Sequence, residues 1–230
     1  MAEYKARINC LASGSGTNLQ ALMDSCASNE PGSIPGTIIK VTTNRRDAYA
    51  IKRAEQAEPP IPTDYFNMRK HGFQAAGEKD ADKLREGRLR YDAALAERIL
   101  ADKPDVIVLA GWMHVFSPSF LKPVTAAGVP IINLHPALPG KYDGAGAIKR
   151  AFEDFQAGKL DNDTTGIMIH YVVEEVDRGD PILTQDIKIE KGESLEALEH
   201  RIHGYEHKLI VKATALLAEK IVAARRSTTA

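Results

Sequence analysis

The residue types best suited to catalysis lie where an apolar segment ends, at Asn133 and His135. Both side chains can donate hydrogen bonds, and Pro136 and Pro139 stiffen the chain that follows them. Paired donors at a braced strand end suit an oxygen that gains negative charge during a reaction. A capping asparagine and a hydrogen-bonded histidine are the structural alternative, so this segment by itself indicates oxyanion stabilisation without establishing it.

Residues 13–18 form a glycine-rich turn, SGSGTN, between a short apolar strand and a helix. Glycines let a ligand approach the backbone, and a helix N-terminus offers free N–H groups with a positive dipole end. Leu19 replaces the third glycine of a dinucleotide fingerprint, and no G-K-[ST] follows as in a P-loop. The turn therefore favours one phosphate monoester, with a plain strand–helix turn as the alternative.

The segment after the strand at residues 105–110 is a candidate pocket wall, because open sheets bind ligands at this edge. Its apolar side chains could flank a flat heterocycle or simply pack in the core; they are Trp112, Met113, Val115 and Phe116.

Two polar residues in the last third of the chain are further candidates. Asp177 lies in an acidic loop, where it could raise the pKa of an imidazole or be a solvated turn residue. His170 lies within a strand, and we interpret it as a buried, hydrogen-bonded histidine.

Composition narrows the class of protein. Of 230 residues 43% are hydrophobic, and 30 basic against 31 acidic residues give a net charge of −1. This balance favours small-molecule substrates over nucleic acid or a membrane surface, and no apolar run approaches the roughly 18 residues of a spanning helix. The N-terminus lacks the apolar segment of a secretion signal. Cys10 and Cys26 are expected to be reduced, so we predict a cytoplasmic protein.

Three histidines, His200, His203 and His207, share the last predicted helix. Their spacing could suggest a metal site, but neither an H-E-x-x-H pattern nor a cysteine cluster accompanies them. A solvated or partly buried helix face is the better interpretation, and we expect no metal. Glu206 and His207 could instead reach a substrate.

The order of predicted elements indicates an α/β fold with an open, Rossmann-like, mostly parallel sheet and flanking helices. Strands are predicted at residues 7–12, 37–42, 105–110 and 129–134, with a short strand after the prolines at 59–62. Helices are predicted at residues 18–26, 47–55 and 80–101. In the C-terminal third we expect antiparallel strands at 166–173 and 181–190, a helix at 194–223 capped by Ser194, and a frayed end from residue 225.

Four segments together resemble one enzyme family. They are LASGSGTNLQA at residues 11–21, LAGWM at 109–113, NLHP at 133–136 and DRG at 177–179. The chain is similar to the phosphoribosylglycinamide formyltransferases, folate-dependent enzymes of de novo purine synthesis, over nearly its whole length. N-x-H-P with a distant aspartate is common to the wider formyltransferase superfamily, whereas the glycine-rich start is typical of the ribonucleotide branch.

The resemblance implies formyl transfer from the co-substrate 10-formyltetrahydrofolate to the amine of 5-phosphoribosylglycinamide, without a metal. It implies that the catalytic residues are Asn133, His135 and Asp177, with Asp177 keeping His135 charged and oriented. It assigns the ribonucleotide to Ser15, Gly16, Thr17, Asn18 and Glu206. It assigns the folate to Arg88, Met113, His114, Val115, Phe116, Asn133, Val173, Glu174, Glu175 and Val176, with Arg85 or Arg90 as alternatives to Arg88.

The chain departs from the family pattern at three places. Residues 143–146, DGAG, lack the histidine that commonly follows the K-Y-x-G segment. Residues 165–170 read TGIMIH where T-G-[TC]-S-V-H is usual, and Pro139 with Gly140 replaces the more usual leucine–proline. These differences leave the catalytic trio intact but bear on secondary contacts to the substrate.

We expect one formyltransferase domain over residues 1–230, acting as a monomer or weak homodimer. A ribonucleotide-binding half would span residues 1–110, and a folate-binding, catalytic half residues 111–225. Two other activities fit the same motifs: formyl transfer to another amine, such as an amino sugar, and hydrolysis of 10-formyltetrahydrofolate. A non-catalytic nucleotide-binding module would explain the glycine-rich turn but not the catalytic trio.

Overall fold

The computed structural model describes residues 4–229, which form one seven-stranded sheet with helices on both faces. The strands are β1 (Ala6–Ala12), β2 (Gly36–Thr43), β3 (Thr63–Tyr65), β4 (Val106–Leu109), β5 (Ile131–His135), β6 (Thr164–Tyr171) and β7 (Pro181–Lys188). The helices are α1 (Thr17–Ala27), α2 (Tyr49–Glu55), α3 (Ala81–Ala101), α4 (Pro118–Ala126), α5 (Ala147–Gln156) and α6 (Leu195–Thr229), with a short 3-10 helix at Asp161–Asp163.

The strand order is β3-β2-β1-β4-β5-β6-β7. Strands β1 to β5 pair in parallel, and β6 and β7 are added in antiparallel pairing. The predicted fold class is therefore confirmed. Strands β2 and β4 lie on opposite sides of β1, so the connection after β1 runs toward one edge of the sheet and the connection after β4 runs toward the other. These two connections diverge and leave a crevice at the carboxyl ends of β1 and β4.

Strand β4 shows why the sheet is covered on both faces. Its four residues are all buried, and alternate side chains point to opposite faces of a strand. Val106 and Val108 join the core beneath α1 and α6, whereas Ile107 and Leu109 join the core beneath α3 and α4. Each such side chain stabilises the fold by about 1.5–3 kcal/mol when fully buried, so the uninterrupted apolar run specifies a central strand.

Three helical features differ from the sequence prediction. Helix α4 contains Pro118 in its first turn and Pro123 inside it, and this proline content masks the helical pattern. Helix α5 begins after Gly146, whose backbone is left-handed (φ 70°) and which supplies no side-chain cap, so the usual start signal is missing. Helix α6 does not fray at residue 225 but continues to Thr229, and Arg225 donates to Asp105 Oδ1 at 3.2 Å.

The predicted cap at Ser194 is confirmed, because its hydroxyl accepts a hydrogen bond from the Ala197 N–H at the start of α6. The structure adds a second cap, in which the side chain of Asp80 accepts hydrogen bonds from the backbone N–H groups of Asp82 and Lys83 at the start of α3.

Among the described residues, no helix combines the length and the apolar character needed to cross a membrane.

Candidate active site

A cavity of about 390 Å³ lies at the carboxyl ends of β4 and β5, beside the N-terminus of α1. This volume falls within the range of small-molecule sites. Segments distant in sequence meet there: Asn18, residues 109–116, residues 133–136, residues 144–146, several residues between 170 and 177, and Glu206. The cavity thus occupies the crevice that the strand order leaves open.

The predicted catalytic residues meet on one wall of this cavity. Asn133 and His135 are two residues apart in β5 and therefore point to the same side of the sheet. His135 is 3% exposed, and its Nδ1 lies 3.3 Å from Asp177 Oδ2. The other ring nitrogen, Nε2, lies 3.3 Å from the carbonyl oxygen of Lys141. Both nitrogens therefore face acceptors, which orients the ring.

Asp177 reaches this wall from the loop between β6 and β7. Its backbone is left-handed (φ 56°), and its Oδ2 accepts a hydrogen bond from the Gly144 N–H at 2.8 Å. Gly179 permits the approach of the loop, because a Cβ there would lie 1.7 Å from the carbonyl oxygen of Tyr171. The D-x-G motif thus combines a functional side chain with a position that only glycine can occupy.

His170 joins the three predicted residues. It is directly opposite Asn133 in the antiparallel pairing of β5 with β6. Its Nε2 lies 3.2 Å from Asn133 Nδ2 and 3.5 Å from Asp177 Oδ1, and its Nδ1 lies 2.9 Å from the carbonyl oxygen of Tyr171. A proton on Nδ1 satisfies that carbonyl and leaves Nε2 to accept from Asn133. Asn133 Nδ2 also lies 3.5 Å from Asp177 Oδ1, so its two amide hydrogens face His170 and, over a longer distance, Asp177.

Opposing effects set the charge of the His135–Asp177 pair. Burial lowers the pKa of His135 below its ordinary 6.5, although Asp177, the Lys141 carbonyl and Asp143 act to raise it. Burial raises the pKa of Asp177, but its contact with His170, the hydrogen bond from the Gly144 N–H and the nearby imidazole of His135 leave it below its ordinary value. Asp177 is therefore ionised at neutral pH. The expectation that it keeps His135 charged needs correction, because burial favours the neutral ring.

The loop after β4 supplies an apolar wall, and its side chains divide between two tasks. Trp112 and Phe116 are 7% and 6% exposed and belong to the core, where Phe116 stacks on Phe120 at 3.8 Å between ring centroids. Met113 and Val115 are 65% and 48% exposed and face the cavity mouth. The two aromatic residues therefore pack in the core and also border the cavity, whereas the two aliphatic ones are exposed at its mouth.

Helix α3 holds this loop in place. Asp92, fully buried, accepts from the Ser117 N–H at 2.6 Å and lies 2.6 Å from His114 Nε2. Arg88 donates a hydrogen bond to the carbonyl oxygen of Val115. Asp92 is a supporting residue that the sequence analysis missed, because nothing in its local pattern identifies His114 as a partner.

The glycine-rich turn is tightly packed against α2. Gly16 has φ 71°, and a Cβ there would lie 2.9 Å from both the Cα and the Cβ of Ala50. Arg53 donates from Nε to the carbonyl oxygen of Ser15 at 2.8 Å. Thr17 begins α1 with no side-chain cap, so the first N–H groups of the helix are available to an anion.

Glu206 is the buried carboxylate of the site. It is 6% exposed, and Asn18 Nδ2 donates to its Oε2 at 3.5 Å. Burial raises its pKa, against the lowering effects of His203 and Asn18. The pKa of the neighbouring His207 is lowered by burial and by the charges of His203 and Arg53. Within residues 4–229, no group of three or more histidine, cysteine or acidic residues is arranged to hold a metal ion.

Comparisons with known proteins identify the family of this chain. The formyl transferase family model matches residues 6–214. The phosphoribosylglycinamide formyltransferase of Schizosaccharomyces pombe is 42% identical over 90% of this chain and 95% of its own length. That of Dictyostelium discoideum is 43% identical over 91% of this chain and 97% of its own.

The chain belongs to the phosphoribosylglycinamide formyltransferase family. A solved structure of this family from Coxiella burnetii is similar, with a TM-score of 0.76 and 29% identity over 94% of this chain and 89% of that one. A glycinamide ribonucleotide transformylase from Geobacillus kaustophilus has a TM-score of 0.75 and 29% identity over 94% of this chain and 100% of that one. The family fold is thus present from β1 to α6.

The structure brings most of the predicted site residues to one cavity. Those on its wall are Asn18, Met113, His114, Val115, Phe116, Asn133, His135, Val173, Val176, Asp177 and Glu206. The wall does not include Ser15, Gly16, Thr17, Arg88, Glu174 or Glu175. It does include residues that the sequence analysis did not assign to the site: His170, Val172 and residues 144–146. The family histidine motif at residues 165–170 was the one signal that could have identified His170.

Proposed function

We propose that this protein transfers the formyl group of 10-formyltetrahydrofolate to the amine of 5-phosphoribosylglycinamide, a step of de novo purine synthesis. The observation that carries the proposal is the clustering of Asn133, His135 and Asp177 on the wall of a ligand-sized cavity. The folate co-substrate supplies an activated formyl carbon. The amine forms a new carbon–nitrogen bond at this carbon, and the bond to the folate nitrogen breaks.

Asn133 and His135 stabilise the formyl oxygen as it gains negative charge. The Asn133 amide is the first donor, through the hydrogen that makes only the longer contact of 3.5 Å with Asp177 Oδ1. The His135 ring is the second once it is protonated, through Nε2, which then exchanges the Lys141 carbonyl at 3.3 Å for the formyl oxygen. A well-placed donor of this kind lowers the barrier by about 3 kcal/mol, which makes the pair a large part of the rate enhancement.

His135 also moves the proton that the reaction displaces. Its lowered pKa makes it a proton acceptor near neutral pH, directly or through a water, when the amine attacks. The imidazolium that forms lies beside the Asp177 carboxylate and is stabilised by it. The ring then returns the proton to the departing folate nitrogen. His135 is therefore neutral before the reaction and becomes charged when it accepts the proton. It carries this charge at the stage when the oxyanion needs a donor.

The folate is bound by the apolar mouth of the cavity. Met113, Val115, Val173 and Val176 are all at least 39% exposed there, and exposed aliphatic groups in one concave patch suit a flat heterocycle. Arg88 supports this loop and carries a positive charge near its outer side, where an acidic folate tail would leave the cavity. Glu174 and Glu175 are exposed residues of the loop that carries Val173 and Val176.

The ribonucleotide is bound between the glycine-rich turn and α6. The phosphate lies at residues 15–18, on the free N–H groups that begin α1. Glu206, held by Asn18, accepts hydrogen bonds from the glycinamide part. This assigns residues 1–110 mainly to the ribonucleotide and residues 111–225 mainly to the folate and the chemistry, with Asn18 and Glu206 joining the two.

We further infer a cytoplasmic protein that works as a monomer or weak homodimer. Cys10 is buried and both cysteines are free thiols, as in a reducing compartment. Asn133, His135 and Asp177 come together on the wall of one cavity within a single chain, which supports a catalytically competent monomer. The net charge of −1 offers nothing that would attract nucleic acid.

The test is folate release from a 10-formylfolate, followed by absorbance with and without 5-phosphoribosylglycinamide. Release that requires the ribonucleotide is the expected result. Release without any amine would contradict the proposal and show that the protein hydrolyses 10-formyltetrahydrofolate instead. Release that requires an amino sugar instead of the ribonucleotide would identify a different amine acceptor.

A further inference from the structure

Two loops of the site hold each other through a reciprocal pair of contacts. The first loop, residues 140–146, is the last part of the connection from β5 to α5; the second, residues 172–180, joins β6 to β7. Gly144 donates its backbone N–H to the Asp177 carboxylate at 2.8 Å. One residue away on each loop, Arg178 Nε and Nη2 lie 2.8 and 2.5 Å from Asp143 Oδ2. We call the Asp143–Arg178 pair together with the Gly144–Asp177 contact the interloop clasp.

The first loop is a rigid base for this clasp. Arg150 Nη2 donates to the carbonyl oxygens of Tyr142 at 2.6 Å, of Asp143 at 2.7 Å and of Ala145 at 3.1 Å. The Tyr142 hydroxyl donates to Asp154 of α5 at 2.8 Å. The same loop presents a carbonyl to His135 from Lys141, so it contacts both members of the His135–Asp177 pair.

The second loop needs such a partner. Val173 and Val176 are 44% and 39% exposed, so the loop has little core of its own. Asp177 has a left-handed backbone, which is unfavourable for a residue with a side chain. Its carboxylate nevertheless has to stay 3.3 Å from His135 Nδ1.

We propose that Asp143 and Arg178 are positioning residues for formyl transfer, and that their ion pair keeps the Asp177 carboxylate beside the His135 ring. This inference rests on the proposed function. The two side chains are 31% and 44% exposed, and an ion pair so close to water contributes little to global stability. Its effect is therefore expected in the geometry of the adjacent residue, where a displacement of about 1 Å can cost about 100-fold in rate.

Kinetics of single variants are the first test. Arg178→Ala and Asp143→Ala should each lower kcat by about 10-fold to 100-fold while KM for 5-phosphoribosylglycinamide changes less than about twofold, because neither residue binds it. Arg178→Lys keeps the positive charge and should recover part of the loss. A change confined to KM would overturn the proposal.

The double variant shows whether the two residues act as one unit. Once Asp143 is absent, Arg178 has no partner in the clasp, so Asp143→Ala/Arg178→Ala should lose no more kcat than either single variant. Losses that multiply would mean that the residues act separately, and the pair would not be the positioning device.

A matched control separates positioning from general loss of stability. Arg201 pairs with Glu193 through two contacts of 2.9 and 2.7 Å, and neither residue lines the cavity. Arg201→Ala should lower Tm at least as much as Arg178→Ala and leave kcat unchanged. Equal kcat losses in the two variants would overturn the proposal.

Hydrogen exchange at the Gly144 amide gives a readout that does not depend on the reaction. In Arg178→Ala this amide should exchange at least about tenfold faster than in wild type, because the clasp opens more often, and in Arg201→Ala it should not. Unchanged exchange would overturn the clasp even if activity falls. If the amide exchanges faster in Arg178→Ala but the wild type does not formylate the ribonucleotide, the clasp exists and the proposed function fails.

Discussion

Asn133 and His170 face each other where the sheet changes from parallel to antiparallel pairing, with Asn133 Nδ2 3.2 Å from His170 Nε2. Asn133 also pairs with Leu109 of the parallel strand β4. The amide is therefore fixed by its strand on one side and by an imidazole on the other. A fixed donor needs no reorganisation when charge develops beside it, and this is the condition under which a single hydrogen bond is most effective.

Asn133→Ala should lower kcat by about 100-fold to 1000-fold, the usual cost of removing one oxyanion donor. KM for both substrates should change much less, because the interaction is strongest in the transition state. Steady-state kinetics measure both constants. Asn67→Ala, which removes a side chain that donates to the Asn44 carbonyl outside the cavity, is the control and should keep wild-type kcat. A normal kcat in Asn133→Ala would remove Asn133 from the mechanism.

Asp177→Asn should lower turnover far more than it lowers folding stability. The amide keeps the shape of the carboxylate but cannot stabilise the imidazolium of His135, so we expect a loss of about 100-fold or more in kcat. Thermal unfolding in the same buffer gives the change in Tm. If the fraction of unfolded protein at the assay temperature accounts for the lost turnover, Asp177 has a structural role only.

Glu206→Gln should make the protein more stable and less active. Burial raises the pKa of Glu206, so its charged form destabilises the folded state at neutral pH. The amide should raise Tm at pH 7 by roughly 2–4 °C, the shift that about 1 kcal/mol produces in a domain of this size. It should also raise KM for the ribonucleotide and leave KM for the folate unchanged. A lower Tm, or an equal effect on both KM values, would contradict this assignment.

Stability should depend on pH through His135. Its folded-state pKa is below 6.5, so the unfolded chain binds more protons as the pH falls below 6.5. The stabilising contribution is therefore complete above 6.5 and is lost as the pH falls toward the folded-state pKa. Denaturant unfolding of wild type and His135→Asn between pH 5 and pH 8 would show it, as a difference in stability that changes below about 6.5. His207, whose pKa is also lowered, remains in both proteins and cancels. A constant difference across this range would mean that His135 is not buried as described.

The sequence predicted the sheet and the catalytic strand because these depend on local patterns. The run from Val106 to Leu109 is apolar at every position, which specifies a strand covered on both faces. Asn133 and His135 follow from the two-residue period of β5. The placement of Asp177 beside them came from the family resemblance and not from any local pattern.

Partners that depend on tertiary structure were not predictable. His170 meets Asn133 only because β6 pairs with β5 in one particular register. The contact between Asp143 and Arg178 spans two loops, and nothing near either residue indicates the other. The lowered pKa of His135 depends on the depth of burial, which outweighs the nearby carboxylate. Such features depend on distances that the spacing of residues along the chain does not contain.

The most direct test of the account follows the formyl carbon itself. 10-Formyltetrahydrofolate labelled with ¹³C in the formyl group is incubated with the protein and 5-phosphoribosylglycinamide, and the products are identified by NMR. The account predicts that the label appears in an amide of the ribonucleotide, at a rate that falls by at least about 100-fold in His135→Ala. Label that appears as free formate, or that stays on the folate while wild-type protein is folded, would contradict it.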